Sequence, residues 1–139
     1  MKNIRFAFAL SNDNLFTDEH FIDADHYGIF EYRAENKLLT RVDEMPNKSL
    51  LTNSDVERVH QLMEILKENQ IDMLVAKSYS TALKKENKHF VPILISGSSP
   101  EKVCATIAKN IKWLYDELTI DKEEHMIFKI EKGILKYKL

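Results

Sequence analysis

His20 stands beside an aromatic residue, Phe21, in a polar stretch that follows an apolar run, Ile4 to Leu10. Imidazole is a common ligand for borderline metals, and a single histidine can supply the one nitrogen that a preformed cluster lacks. His26 lies six positions further on, a spacing that fixes no geometry in a loop, and it reads as the first residue of a strand, packing against Tyr27. Asp13, Asp18, Glu19, Asp23 and Asp25 crowd the same stretch. Carboxylate oxygens suit magnesium or calcium, but the glycine and the spacing of an EF-hand loop are missing. A solvated acidic loop is the simpler reading. Two-metal hydrolysis would want an acidic residue inside the first strand, and that strand has none.

A second polar group, Lys77-Ser78-Tyr79-Ser80, follows an apolar run and precedes a short helical pattern. At such a strand-to-helix turn, backbone N–H groups and the helix dipole favour an anion, and Lys77 adds positive charge. The turn has no glycine, so it is not a phosphate loop. Asn12, in the turn that ends the first strand, joins His20, Phe21, Lys77 and Ser78 as a candidate ligand contact. Cys104 falls one turn into a helical segment, where a lowered pKa is one reading. Simple burial beside Val103 is the other and the stronger, because no Cys–His arrangement supports reactivity. Lys129, Lys132, Lys136 and Lys138 alternate with apolar residues, the pattern of a hairpin's wet face rather than of a nucleic-acid contact.

The elements that must position these groups follow from periodicity. Ile4, Phe6, Phe8 and Leu10 share one face of a strand, with Ala7 and Ala9 on the other. Both faces are apolar, so the strand is expected at the centre of a sheet, with the alanines admitting a close helix. His26 to Arg33 is a second strand, Ala34 to Lys37 a hairpin turn, and Leu38 to Val42 the return. Asp43 to Asn53 reads as a loop. Ser54-Asp55-Val56-Glu57 fits a capping box and opens a helix with a buried stripe of Val56, Val59, Leu62, Met63 and Leu66, ending near Asn69. Ile71 to Ala76 is a short parallel strand, and Thr81 to Glu86 a short helix. Phe90 to Ile95 is a further strand, which Pro92 assigns to a sheet edge. Ser99 and Pro100 start a last helix with the stripe Val103, Ile107, Ile111, Leu114 and Leu118. In the tail, Met126, Phe128 and Ile130 share a face, Glu131-Lys132-Gly133 turns, and Leu135, Tyr137 and Leu139 answer as the second strand of a hairpin.

The order βββαβαβα followed by ββ predicts an α/β protein: a mixed sheet with helices on both faces. A chain of 139 residues supports one domain with a sizeable core. A net charge of −2 argues against a dedicated nucleic-acid binder. The one cysteine excludes an internal disulfide. No stretch approaches the roughly 20 apolar residues of a membrane helix, and the N-terminal run lacks the long apolar core of a signal peptide. A cytoplasmic protein is expected.

Several short motifs together resemble the dinitrogenase iron–molybdenum cofactor biosynthesis family, the NifX or NifB C-terminal type of domain. They are Met1-Lys2 with Ile4 to Ser11, Glu19-His20-Phe21, Ala24-Asp25, Tyr27-Gly28-Ile29-Phe30-Glu31-Tyr32, Asp72-Met73-Leu74-Val75-Ala76, and Val91 to Ser99 running into the helix from Pro100 to Asn110. The likeness covers about residues 1 to 112. It implies a ribonuclease-H-like three-layer fold with a mixed five-stranded sheet, taken here as a domain over 1–120, with a C-terminal hairpin extension over 121–139. It also implies that the chain binds or carries an iron–molybdenum or iron–sulfur cluster, with His20 as metal ligand and Phe21 beside it. The family's turn after the Asp72 to Ala76 strand is usually rich in glycine, whereas here it is Lys77 to Ser80.

Two readings of function result. In the first, the chain is a small binding protein and not an enzyme, holding a metal cluster or a small anion with His20, Phe21, Asn12, Lys77 and Ser78. In the second, the fold has lost its ligand and serves as a protein-interaction module, pairing with a partner or a second copy through the tail hairpin. No acid pair or phosphate loop stands at a strand end to support a nuclease or phosphotransferase.

Overall fold

The structure is a computed structural model and describes residues 3–48, 54–85, 89–120, 127–130 and 134–137. Its strands are β1 (Ile4–Leu10), β2 (His26–Arg33), β3 (Leu38–Pro46), β4 (Met73–Ala76), β5 (Val91–Ile95), β6 (Ile127–Ile130) and β7 (Ile134–Tyr137). Its helices are α1 (Asp55–Glu68), α2 (Thr81–Lys84), α3 (Pro100–Lys109) and α4 (Ile111–Thr119). The strands form a single mixed sheet in the order β3-β2-β1-β4-β5-β6-β7. The β1–β2, β2–β3 and β6–β7 pairs are antiparallel, and β4, β5 and β6 continue parallel to β1.

The alternation in β1 has the expected consequence. Ile4, Phe6, Phe8 and Leu10 belong to one buried cluster with Val103, Ile107, Ile111 and Leu114 of α3 and α4. Ala7 and Ala9 belong to a second, with Val59, Leu62, Met63 and Leu66 of α1 and Leu83 of α2. Helices therefore cover both faces, giving three layers. Gly28 faces β1 at Phe8. A Cβ there would stand 2.9 Å from Leu10 Cδ1 and 3.0 Å from Phe30 Cε1, so the missing side chain makes room where Phe8 and Phe30 stack at 4.1 Å.

Five expectations change. The tail hairpin does not stand apart from the sheet: β6 pairs in parallel with β5, so the five expected strands become seven. Pro92 therefore lies inside the sheet, facing Leu74 of β4. Pairing with β6 begins one residue later, at Ile93. The strand expected to stop at Val42 runs on to Pro46, because a register shift between Ile29 and Phe30 lets Asp43 to Pro46 pair with the first half of β2. Val56 is 78% exposed, so the buried stripe of α1 starts one turn later, at Val59. The single helix expected from Pro100 onward is two, broken at Asn110. There the side-chain amide donates to the Thr106 carbonyl at 2.8 Å, competing with the helical ladder. Glu86, Asn53, Met126, Leu139 and the turn at 131–133 lie outside the described residues, as do Met1 and Lys2. No helix among the described residues is long and apolar enough to cross a membrane.

Candidate functional site

The chain leaves β1 toward β2 on one side of the sheet and leaves β4 toward β5 on the other. Connections that diverge in this way open a crevice at the carboxyl ends of the two strands, where open α/β sheets bind ligands. The loop from Ser11 to Asp25 and the turn from Lys77 to Ser80 meet there.

The loop is built by local bonds. Asn14 takes a positive φ of 62°, and Ser11 N–H donates to the Leu15 carbonyl at 2.8 Å. The chain then folds back so that Thr17 N–H reaches the Ala9 carbonyl at 3.1 Å. Phe16 is buried, tilted against Phe8 with ring centres 5.1 Å apart. Asp18, Glu19 and His20 remain exposed. A single 3-10 turn, Phe21–Asp23, follows. It is pinned from two sides: Phe21 N–H donates to the Ser78 carbonyl at 2.8 Å, and Asn47 donates its side-chain amide to the carbonyls of Ile22 and Ala24 at 2.8 and 2.7 Å.

These bonds bring together residues far apart in sequence. His20 Nδ1 is hydrogen-bonded to Ser78 Oγ. Lys77 Nζ donates to Asp18 Oδ1 at 2.7 Å and to Ser98 Oγ at 3.0 Å. Ser98 also lines a cleft of about 370 Å³, with Ser96, Gly97, Ser99 and Lys102, at the start of α3. Ser99 precedes that helix without using its side chain as a cap. Of the five candidate contacts, His20, Lys77 and Ser78 converge. Phe21 does not stand at a pocket's mouth. It is fully buried, its ring centre 4.8 Å from that of Tyr27 and 5.9 Å from that of Tyr79. Asn12 is exposed, its N–H donating to Asp25 Oδ2 at 3.0 Å, and it bonds to none of the other four.

The bond at Nδ1 leaves Nε2 as the ring nitrogen without a described partner. When Nδ1 carries the proton and donates to Ser78 Oγ, Nε2 presents its lone pair outward, the arrangement by which neighbouring groups orient a ligating histidine. The acidic cluster is taken apart. Asp13 is held by the Ser11 hydroxyl, which lowers its pKa below the ordinary 3.8. Asp18 pairs with Lys77, Asp23 with Arg58, and Asp25 with the Asn12 N–H. No three His, Cys, Asp or Glu side chains come together to hold a metal ion among the described residues. His26 does not turn to Tyr27 but meets Asn14 Oδ1 at 3.1 Å and Glu44 Oε1 at 3.4 Å. Burial first, and Glu101 second, push the Cys104 thiol up to about 12, which fits its reading as a packing residue.

Sequence reasoning missed three supports of this site. Tyr79 is buried, and its hydroxyl accepts from Ile93 N–H at 3.2 Å while lying 2.9 Å from the Leu74 carbonyl and 2.7 Å from that of Ile93. It locks the turn to β4 and β5. Asn47 and Ser98 act across 23 and 21 residues of sequence, distances that no local pattern reveals. The Gly97-Ser98-Ser99-Pro100 run marks the start of α3 but not the lysine it meets. No protein-family model matches the chain, and no curated protein matches it.

Proposed function

We propose that the chain is a non-catalytic cytoplasmic binding protein that carries a metal cluster as cargo, like the iron–molybdenum cofactor biosynthesis family it resembles. The carrying observation is the meeting of His20, Lys77 and Ser78 where the connections of β1 and β4 diverge. An anionic iron–sulfur or iron–molybdenum cluster brings its own sulfide ligands, so one outward imidazole nitrogen suffices to hold it and permits release. Lys102 offsets part of its charge, Lys77 being paired with Asp18, and the hydroxyls of Ser78, Ser98 and Ser99 offer hydrogen bonds to its sulfides. The strand order β3-β2-β1-β4-β5, with β2 antiparallel to its neighbours, supports the ribonuclease-H-like reading of the fold.

Anaerobic titration of the purified chain with a [4Fe–4S] cluster or extracted iron–molybdenum cofactor tests this. A saturable change in the visible absorption, lost in His20→Ala, is expected. An unchanged cluster spectrum, or one that responds equally in the variant, rejects the carrier function.

A second reading rests on β7, the outermost described strand beyond β6. A four-residue strand at a sheet edge supports pairing with a partner or a second copy. Sedimentation of the full chain over a range of concentrations decides the self-association form. A single monomer mass throughout removes it.

A further inference from the structure

A second cavity, of about 560 Å³, lies at the opposite end of the sheet from His20, where β1, β4 and β5 begin. That volume is within the usual range of small-molecule sites, roughly 300–1,000 Å³. Arg5, Glu31, Lys67, Asp72, His89 and Phe90 are among its walls. Arg5 is the unusual member. Its Nε is shut off from solvent and has no hydrogen-bond acceptor. Its guanidinium forms no hydrogen bond or ion pair with any described residue. Nε has no open surface and is not itself a ligand contact, but the two terminal Nη groups, which have no bond to any described residue, are donors left for an acceptor in the cavity.

The two carboxylates in the cavity wall are already committed to other donors. Asp72 Oδ2 accepts the backbone N–H of Arg5 at 3.0 Å, and Asp72 N–H returns a bond to the Arg5 carbonyl at 2.9 Å. Glu31 stands across from Arg5 on β2 but gives its Oε2 to Arg33 Nε at 3.0 Å. The fork of Arg5 is thus held at the cavity wall by a central strand, with its donors unspent. Lys67, in the last turn of α1, adds a second cation, and Phe90 supplies an apolar wall.

We propose that this cavity is a binding site for a small organic oxyanion, which Arg5 grips end-on through two parallel N–H···O bonds from its terminal Nη1 and Nη2 groups. The planar guanidinium matches the paired oxygens of a carboxylate or a phosphate. Phe90 gives the carbon portion of the ligand an apolar wall. This site is separate from the one around His20, and neither depends on the other.

The test is proton–nitrogen NMR of the full chain, titrated separately with succinate and with inorganic phosphate against a sodium chloride control. Saturable shifts of the Arg5 Nε–H signal and of the Gln70, Asp72 and Phe90 amides are expected from one of the two probes. Saturation by succinate assigns a carboxylate ligand, and saturation by phosphate assigns a phosphate. Arg5→Gln should weaken the response by about tenfold or more, and Arg5→Lys, which keeps the charge but loses the fork, should recover only part of it. Lys67→Gln, at an exposed position of α1, should weaken binding several-fold without disturbing the fold, and it carries the test if Arg5→Gln does not fold. Failure of both probes to saturate, or saturation that survives in all three variants unchanged, overturns the proposal.

Discussion

At the scale of single residues, His20 and Phe21 are neighbours in opposite surroundings. His20 is exposed, while Phe21 fills the layer between Tyr27 and Tyr79. Substituting each should therefore separate binding from stability. His20→Ala should change the unfolding free energy by less than about 0.5 kcal/mol, as exposed positions do, while abolishing the proposed cluster binding. Phe21→Ala should cost about 3–5 kcal/mol, as truncation of a buried ring does. Urea denaturation of both variants, alongside the cluster titration, checks the pair. A large loss of stability in His20→Ala would mean that the imidazole is structural. Cys104 gives a second residue-scale expectation. Its thiol is raised from 9.0 to about 12 by burial and by Glu101. Above pH 9 the unfolded chain releases this proton and the folded chain keeps it, so the unfolded state binds fewer protons and stability falls as pH rises. The Cys104 contribution is intact below pH 9 and is lost between pH 9 and about 12. Cys104→Ala should flatten the stability profile in that window, measured by urea midpoints at successive pH values. At neutral pH the native thiol should react with iodoacetamide far more slowly than the unfolded one.

At the scale of elements, Asn47 joins the end of β3 to the 3-10 turn beneath His20. Its amide serves two carbonyls, those of Ile22 and Ala24. Removing it takes the side-chain donor from the Ala24 carbonyl, at about 1–3 kcal/mol for a group left unsatisfied in the interior, while the Ile22 carbonyl keeps Arg58 Nη2 at 3.3 Å. Asn47→Ala should lower stability by an amount in that range and speed amide hydrogen exchange at Phe21 and Ala24 before the rest of the sheet. If exchange at those amides follows global unfolding in both proteins, the turn is not held by Asn47. Elements with strong periodicity were legible in the sequence. The alternation of Ile4 to Leu10 placed β1 at the centre, and Ser54 marked the start of α1, where its hydroxyl accepts from Glu57 N–H at 3.4 Å. What stayed hidden depended on strand pairing and on side-chain bonds that periodicity does not register. The continuation of β3 to Pro46 needs the register shift against β2, and the break at Asn110 needs a side-chain bond to Thr106 that competes with an otherwise good helical stripe. Pro92 misled for a related reason. A missing N–H argues for an edge, but within the sheet the cost depends on where neighbouring strands begin, and β6 pairs only from Ile93 onward. For the site, the residue types His20, Lys77 and Ser78 were readable, whereas their meeting depends on β1 and β4 lying side by side.

At the scale of the whole molecule, the hairpin of β6 and β7 changes what a truncation means. The tail motif suggested a hairpin extension beyond a five-stranded sheet. Instead, β6 pairs with β5 along Ile93 to Ile95. Phe128 is fully buried in the same cluster as Phe6, Ile93 and Leu114, with Trp113 packed edge-on at 5.4 Å. Deleting residues 122 to 139 would strip that ring and expose the flank of β5, so a change in assembly after deletion would report partial unfolding rather than a lost interface. Phe128→Ala isolates the packing contribution without touching the backbone pairing. It should cost about 3–5 kcal/mol and, for a domain of this size, lower the melting temperature by more than about 6 °C. The fluorescence of Trp113, the one tryptophan of the chain, should shift in the folded variant, because its edge-on partner is gone. Calorimetry and fluorescence on the same sample read both effects. A variant that melts with the wild-type chain would show that the Phe128 ring is dispensable to the core, and deletion of the tail would then be a fair test of β7 as a docking edge.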